Sequence, residues 1–572
     1  MDNREMPYLV ALAAAMCLSS FLSVAFFYGP SAYHYFDTTV SGYDAYLLLH
    51  GAAGDGYFQQ AGWQGPRLLL TGGIALYYAI FGVSRLSLAL FGISLAVATM
   101  GSIYAFGRGM HSRLAGLFAA VAFGMMPLSV LEASSAGDGA ALSLFAVLAV
   151  GLLLLGSKRG LRRYYCVSGF VAGAAILADI QSVLMFPVLA AIFAYNVSRG
   201  REKDWRMMGI SFVAGAVGAA VLAVILGYLV SGSYTAIFYA FTGRYATASY
   251  SQGAIASMTP GDNATNYLVE LFPYYTVTAL NLYAMLRNPL GYAYSAVLEP
   301  WTIDYNPGFI PIGYYGATMA VSIAYLAFRR ERSVWILALW IGIGMGLLTY
   351  ANIPGGLFLI FFNNWYIAMV TPAIALTIGI AFSEAFGSTA SGAYKTMLNK
   401  VDGRRRMVKG GKMHWAAFTA ACACMVLVLA QNFYAIRTGE YMQMETVYNM
   451  LEMAARLMQL PASSTVYVIA TNATVTPYFN MPIVAAYAMS VYTNYRYNFQ
   501  VVGLSASCSA PDPGSYYIYV NVPEQGGSLQ FPGAALNDCG ALHLLFNPQM
   551  PTWLDYTILG GGPFTGLTLY RA

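Results

Sequence analysis

The chain has 572 residues, of which 58% are hydrophobic and 9% charged, with mean hydropathy +0.57 and formal net charge +5. Soluble domains carry about 25% charged residues, so a soluble globular fold is excluded and a polytopic α-helical membrane protein is expected. The positive charge does not mark a nucleic-acid partner, because Lys and Arg fall in short clusters between apolar runs.

The first apolar run, 7–28, is long enough to cross a bilayer and too long for a signal-peptide core. A polar, Gly- and Tyr-rich passage follows at 38–85. It holds Asp44 and Asp55, with His50 between them and Arg67 behind. Carboxylates placed just beyond a span in so apolar a chain call for a function. This loop is therefore read as the working face of a membrane enzyme. The stretch 68–82 is read as a helix lying in the outer interface or re-entering it.

Further spans are expected at about 86–107, 114–131, 139–156, 164–180, 181–197 and 209–230, then at 310–328, 334–351, 356–383 and 413–434. Basic residues collect at Arg108 and Arg113, at Lys158, Arg159, Arg162 and Arg163, and at Arg199, Arg201, Lys203 and Arg206. Two more clusters stand at Arg329, Arg330 and Arg332 and from Lys395 to Lys412. With about eleven crossings, all five clusters fall on the cytoplasmic side, as the positive-inside rule requires. The N-terminus is then cytoplasmic, and the loops 29–85, 132–138 and 231–309 lie outside with everything from about 435 onward. Asp179 is almost the only ionisable group within the spans; it is placed at an outer turn, as a solvated turn residue, a helix N-cap or a functional group.

The loop 231–309 is rich in Tyr and carries Trp301. It reads either as an interfacial aromatic belt or as a lining for sugar or isoprenoid. Arg244 stands nearly alone there as a charge, placed to meet a lipid phosphate or to snorkel. From about 440 the pattern changes. An amphipathic helix is expected at 445–460, and strands at 465–470, 516–522 and 567–570, between Gly, Pro, Asn and Asp punctuation. Two domains follow: a transmembrane domain, 1–434, and a soluble extracytoplasmic mixed α/β domain, 435–572. Cys508 and Cys539 lie in that domain and would form one bridge outside the cell, whereas Cys17, Cys166, Cys422 and Cys424 read as small core residues. Asn263 and Asn472 head glycosylation sequons on the expected outer side. The P-loop, G-x-G-x-x-G, C-x-x-C and H-E-x-x-H motifs are all missing.

From Gly42 to about Tyr195 the chain resembles the GT-C membrane glycosyltransferases, in particular the protein O-mannosyltransferase and aminoarabinose-transferase group. The resemblance rests on Y-D-A-Y (43–46), G-A-A-G-D-G (51–56), G-P-R-L-L-L (65–70), L-Y-Y-A-I-F-G (76–82) and S-R-L-S (84–87). It continues in A-G-D-G-A-A-L-S-L-F (136–145), S-G-F-V-A-G (168–173) and N-N-W-Y-I-A-M-V-T-P (363–372). The chain departs from the family in several places. Asp44 has no acidic neighbour, Pro66 stands alone without a preceding His pair, Asp179 replaces a Lys, and Asn364 replaces the late Arg.

The resemblance implies transfer of a sugar from a polyprenyl-phosphate-linked donor to a protein or lipid-linked glycan acceptor at the outer face of the plasma membrane. Such an inverting reaction needs one base for the acceptor proton and cations for the leaving phosphate. Asp44 is the expected base; its bland alternative is a helix N-cap over 45–50. Asp138 is the expected second carboxylate, orienting the acceptor or a divalent metal if one is used. Arg67, Arg85 and Arg244 are the candidates for the donor phosphate, and Tyr43, Tyr46, His50 and Asp55 for sugar or acceptor contacts. Two other classes remain open: a non-catalytic scaffold subunit on the same fold, and a transporter or flippase of a lipid-linked sugar.

Overall fold

Apolar sequence becomes helix along most of the first 231 residues. The computed structural model describes residues 5–28, 36–50, 67–135, 138–199, 204–234, 332–348 and 368–385, with shorter stretches from 322 to 358 and from 423 to 571. The helices are α1 (Met6–Tyr28), α2 (Phe36–Leu49), α3 (Leu68–Phe81), α4 (Arg85–Met110), α5 (Arg113–Gly124) and α6 (Pro127–Ser135). They continue as α7 (Asp138–Arg159), α8 (Arg162–Ala175), α9 (Met185–Ser198), α10 (Trp205–Ser231), α11 (Arg332–Leu348) and α12 (Thr371–Ala385). Among the described residues four helices, α1, α4, α7 and α10, are long and apolar enough to cross a membrane. The protein is a membrane α-helical protein.

Several expected spans are broken in the structure. The stretch 114–131 divides into α5 and α6 at Met125 and Met126. Pro127 is the cause: it disfavours helix at the residue before it and suits the first position of the next helix. The two expected spans 164–180 and 181–197 are α8 and α9, with a 3-10 turn (Ile180–Leu184) between them. Asp179, just before that turn, is buried rather than solvated. Among the described residues of the expected span 356–383, α12 supplies the α-helix; before it stands a two-stranded antiparallel pair, β1 (Asn352–Ile353) with β2 (Leu357–Phe358). The α3 segment is helical as expected. Its 14 residues rise about 21 Å, short of the roughly 30 Å hydrocarbon core.

The chain divides into two compact units, each described by itself. One comprises Met1–Ala25, Gly92–Ala223 and Val277–Arg437, the other Phe26–Phe91, Val224–Thr276 and Thr438–Ala572. The core of the first is built from small and branched side chains: Ala115, Ala119 and Phe123 of α5, Ala146 and Val150 of α7, and Ile374 and Leu376 of α12. Trp340 of α11 is buried there and donates its indole N–H to the Met369 carbonyl at 3.0 Å. Small residues let helices approach closely in lipid, where no hydrophobic force drives them together. At the crossing of α8 and α10, a Cβ on Gly169 would strike the Phe212 carbonyl, and one on Gly215 the Cys166 carbonyl. Backbone meets backbone there. The outward side of α10 exposes Ile210, Val213, Val217, Val221, Ile225 and Leu229. Aromatics mark both its ends, with the Arg206 guanidinium over Trp205 at one and Tyr228 stacked on Tyr234 at the other, as at membrane–water interfaces.

In the second unit a five-stranded sheet runs in the order β4-β3-β5-β7-β6. Its strands are β3 (Thr465–Ala470), β4 (Asn498–Gly503), β5 (Tyr516–Asn521), β6 (His543–Phe546) and β7 (Gly566–Arg571). β3 pairs in parallel with β4 and β5, while β7 is antiparallel to β5 and β6. Val466 and Val468 alternate inward to a core with Met453, Leu457, Met489 and Ile518. Tyr467 and Tyr517, cross-strand partners, stack with ring centroids 5.1 Å apart. The strands β4 and β6 add to the three stretches expected from the sequence.

Candidate active site at the first loop

Helix α2 presents Ser41, Asp44, Ala45 and Leu47 as buried residues and packs on α3. The buried residues of α3 are Leu68, Leu70, Thr71, Ile74 and Tyr78, which lie one turn apart along a single face. Asp44 thus stands in the middle of a helix. It is not in a loop, and it does not cap the N-terminus over 45–50. The helix holds because its small and apolar positions find α3; the Ser41-Gly42 pair favours it only weakly by propensity.

Asp44 is fully buried, and neither carboxylate oxygen has a hydrogen-bond partner among the described residues. An ionised carboxylate is costly to bury. Burial accordingly pushes the Asp44 carboxyl well above the ordinary carboxylate range, and the charge of Arg67 works against that rise. Arg67 is itself buried, directly ahead of α3. Its carbonyl accepts both the backbone N–H of Thr71 at 2.9 Å and the Thr71 hydroxyl at 3.0 Å. The first turn of α3 therefore holds the arginine's backbone in place.

Tyr43, half-buried, has its phenol raised by burial and then by the neighbouring Asp44 and Tyr46. One turn on, the Tyr46 and His50 rings lie 4.0 Å apart, and His50 Nδ1 donates to the Tyr46 carbonyl at 3.0 Å. His50 is exposed at the end of α2. Arg85 is half-buried at the first position of α4. The α2–α3 pair thus gathers Tyr43, Asp44, Tyr46, His50 and Arg67.

Asp138 opens α7 in the other compact unit. Asp55, Arg244, Cys508, Cys539, Asn263 and Asn472 lie outside the described residues. Sequence reasoning missed Glu132. It lies in α6, is 4% exposed, and borders a cavity of about 10 Å³ together with Ser129, Ser143 and Thr371. A carboxylate six residues before Asp138, in the stretch 132–138 expected to face outward, is the only signal the sequence offers for it. Among the described residues no three of His, Cys, Asp and Glu converge as a metal site.

Residues 73–228 match the family model described as dolichyl-phosphate-mannose-protein mannosyltransferase. The match takes in Arg85, Glu132 and Asp138 and begins after Asp44 and Arg67. Among solved structures, ArnT from Cupriavidus metallidurans bound to undecaprenyl phosphate is 13% identical, covering 99% of this chain and 98% of that one, with a TM-score of 0.53. The apo state of ArnT has a TM-score of 0.50 at 12% identity over the same shares of the two chains. The archaeal oligosaccharyltransferase AglB from Archaeoglobus fulgidus, in complex with an inhibitory peptide and a dolichol-phosphate, is 12% identical over 91% of this chain and 70% of its own, with a TM-score of 0.49. No curated protein matches by sequence. At such identities the likeness is one of fold, and the fold assignment rests on the two ArnT structures. The chain thus shares the fold of ArnT along nearly its whole length, and within its first half it resembles the dolichyl-phosphate-mannose-protein mannosyltransferase family.

Proposed function

We propose that this protein transfers a sugar from a polyprenyl-phosphate-linked donor to an acceptor at the outer membrane face, with inversion, using Asp44 as the base. The observation that carries the reading is the Asp44 carboxylate. It is fully buried against α3 without a hydrogen-bond partner among the described residues, beside the charge of Arg67. A structural carboxylate would be paired or solvated. One held dry, with its proton affinity raised, suits proton abstraction.

In the reaction the acceptor hydroxyl or amine attacks the anomeric carbon opposite the phosphate. A bond from that carbon to the acceptor's oxygen or nitrogen forms there, and the bond from that carbon to the phosphate oxygen breaks with its electron pair leaving on the lipid phosphate. Asp44 takes the acceptor proton. Arg67, Arg85 and Arg244 meet the charge that develops on the phosphate, and Asp138 orients the acceptor. Tyr43, Tyr46, His50 and Asp55 contact sugar or acceptor. A donor phosphate paired with Arg67 would cancel the charge that lowers the Asp44 pKa, so donor binding itself would strengthen the base. About eleven crossings put this site outside the plasma membrane, with residues 435–572 as an extracytoplasmic domain.

The test uses purified protein in detergent, radiolabelled polyprenyl-phosphate sugars and a membrane extract as acceptor. Wild type is expected to transfer label, and an equally folded Asp44→Asn variant is not. Transfer at the wild-type rate by Asp44→Asn overturns the assignment of the base. Saturable lipid binding by wild type, with no release from any donor, overturns the transferase reading in favour of a scaffold or transporter.

A further inference from the structure

Glu132 of α6 and Gly139 of α7 approach each other unusually closely. A Cβ built on Gly139 would strike the carboxylate of Glu132, with Cδ, Oε1 and Oε2 as its three nearest atoms. The carboxylate therefore occupies the space a side chain at 139 would need. It lies against the first turn of a 22-residue helix, where N–H groups have no partner within the helix itself and the positive dipole end favours an anion. Five residues further on, the Ser143 hydroxyl donates to the Ala368 carbonyl at 2.7 Å, and the Thr371 hydroxyl donates to the same oxygen at 2.7 Å. The two hydroxyls are 3.1 Å apart. Ser129, 7% exposed and without a hydrogen-bond partner among the described residues, faces the same small cavity. The Ser143 hydroxyl thus ties the second turn of α7 to Ala368, while the Glu132 carboxylate lies against its first turn.

We propose that Glu132 is a positioning residue for the transfer reaction: its carboxylate, seated where residue 139 has no side chain, fixes the start of α7 and with it the place of Asp138. This rests on the reading of Asp138 as the second carboxylate of the site. Glu132 then acts through Asp138 and touches neither donor nor acceptor.

The experiment is a cycle of Glu132→Gln and Asp138→Asn, scored by turnover, by donor and acceptor KM and by thermal unfolding in detergent. Glu132→Gln is expected to lower kcat on the order of 100-fold, the cost of a displacement of about 1 Å at a reacting centre, with KM values near wild type. In the Asp138→Asn background, followed by extended incubation, it is expected to cost nothing further, because residues acting as one unit are not additive. Gly139→Ala, which displaces the carboxylate without changing any charge, is expected to reproduce the loss, and it decides the matter if Glu132→Gln does not fold. Wild-type turnover by Glu132→Gln or Gly139→Ala, or additive losses in the double variant, overturns the proposal and leaves Asp138 in place. Wild-type turnover by Asp138→Asn overturns both.

Discussion

Two buried carboxylates sit in very different surroundings. Asp44 lies on the flank of α2, far from either helix end, with no hydrogen bond among the described residues and only the charge of Arg67 for compensation. Glu132 lies over the first turn of α7, beside a ring of hydroxyls from Ser129, Ser143 and Thr371. The flank of a helix offers a carboxylate no free N–H, because those groups are spent within the helix; its N-terminus offers several. Burial therefore has opposite consequences at the two places. On the flank it makes a group eager for a proton; at the helix start, as we propose, it seats a positioning carboxylate.

The comparison breaks most readily at Asp44. Replacing it with Asn is expected to lower transfer by roughly 10²- to 10⁴-fold, the usual contribution of a general base, as read in the radiolabel assay. A loss smaller than tenfold would put the base elsewhere. Next in size is the effect of Arg67. Its charge lowers the Asp44 pKa, so Arg67→Gln is expected to move the acid limb of the rate profile to higher pH, beyond any loss of donor affinity. An unmoved acid limb would uncouple the two residues.

A smaller effect concerns stability. The folded-state pKa of Asp44 is raised, so the stability it contributes is fully present below the ordinary carboxylate pKa. That stability is lost as pH rises through the raised value. Asp44→Asn cannot ionise, and its melting temperature in detergent is expected to gain on wild type as pH rises; parallel curves would contradict the raised pKa. The smallest effect is expected at His50, exposed and bonded to the Tyr46 carbonyl within its own helix. His50→Ala is expected to change transfer by no more than about threefold, or ~0.7 kcal/mol, and a larger drop would move His50 into the reacting centre.

Much of the helical framework could be read from hydropathy, since long apolar runs have few other outcomes in a bilayer. The breaks could not. Hydropathy runs without interruption through Met125 and Met126, and only Pro127 marks the new helix; a window average ignores it. Asp44 drew notice as a charge beside a span, yet Ser41, Gly42 and Asp44 looked like loop residues, because the helix is imposed by α3 and not by local preference. Glu132 was illegible for a stronger reason. Its surroundings are tertiary, completed by Thr371, which pairs with Ser143 across 228 residues of sequence. No local pattern encodes that meeting.

The crossing of α8 and α10 bears on how this protein can be engineered. Gly169 and Gly215 face carbonyl groups of the opposite helix where side chains would stand. A larger residue at either position cannot be accommodated by trimming a neighbour, since main chain has nothing to trim. Whole helices would have to slide. Stabilised variants for structural work should keep both glycines and take their substitutions from the outward row of α10, where Ile210, Val213 and Val217 stand exposed and an exchange of one apolar residue for another disturbs no packed partner.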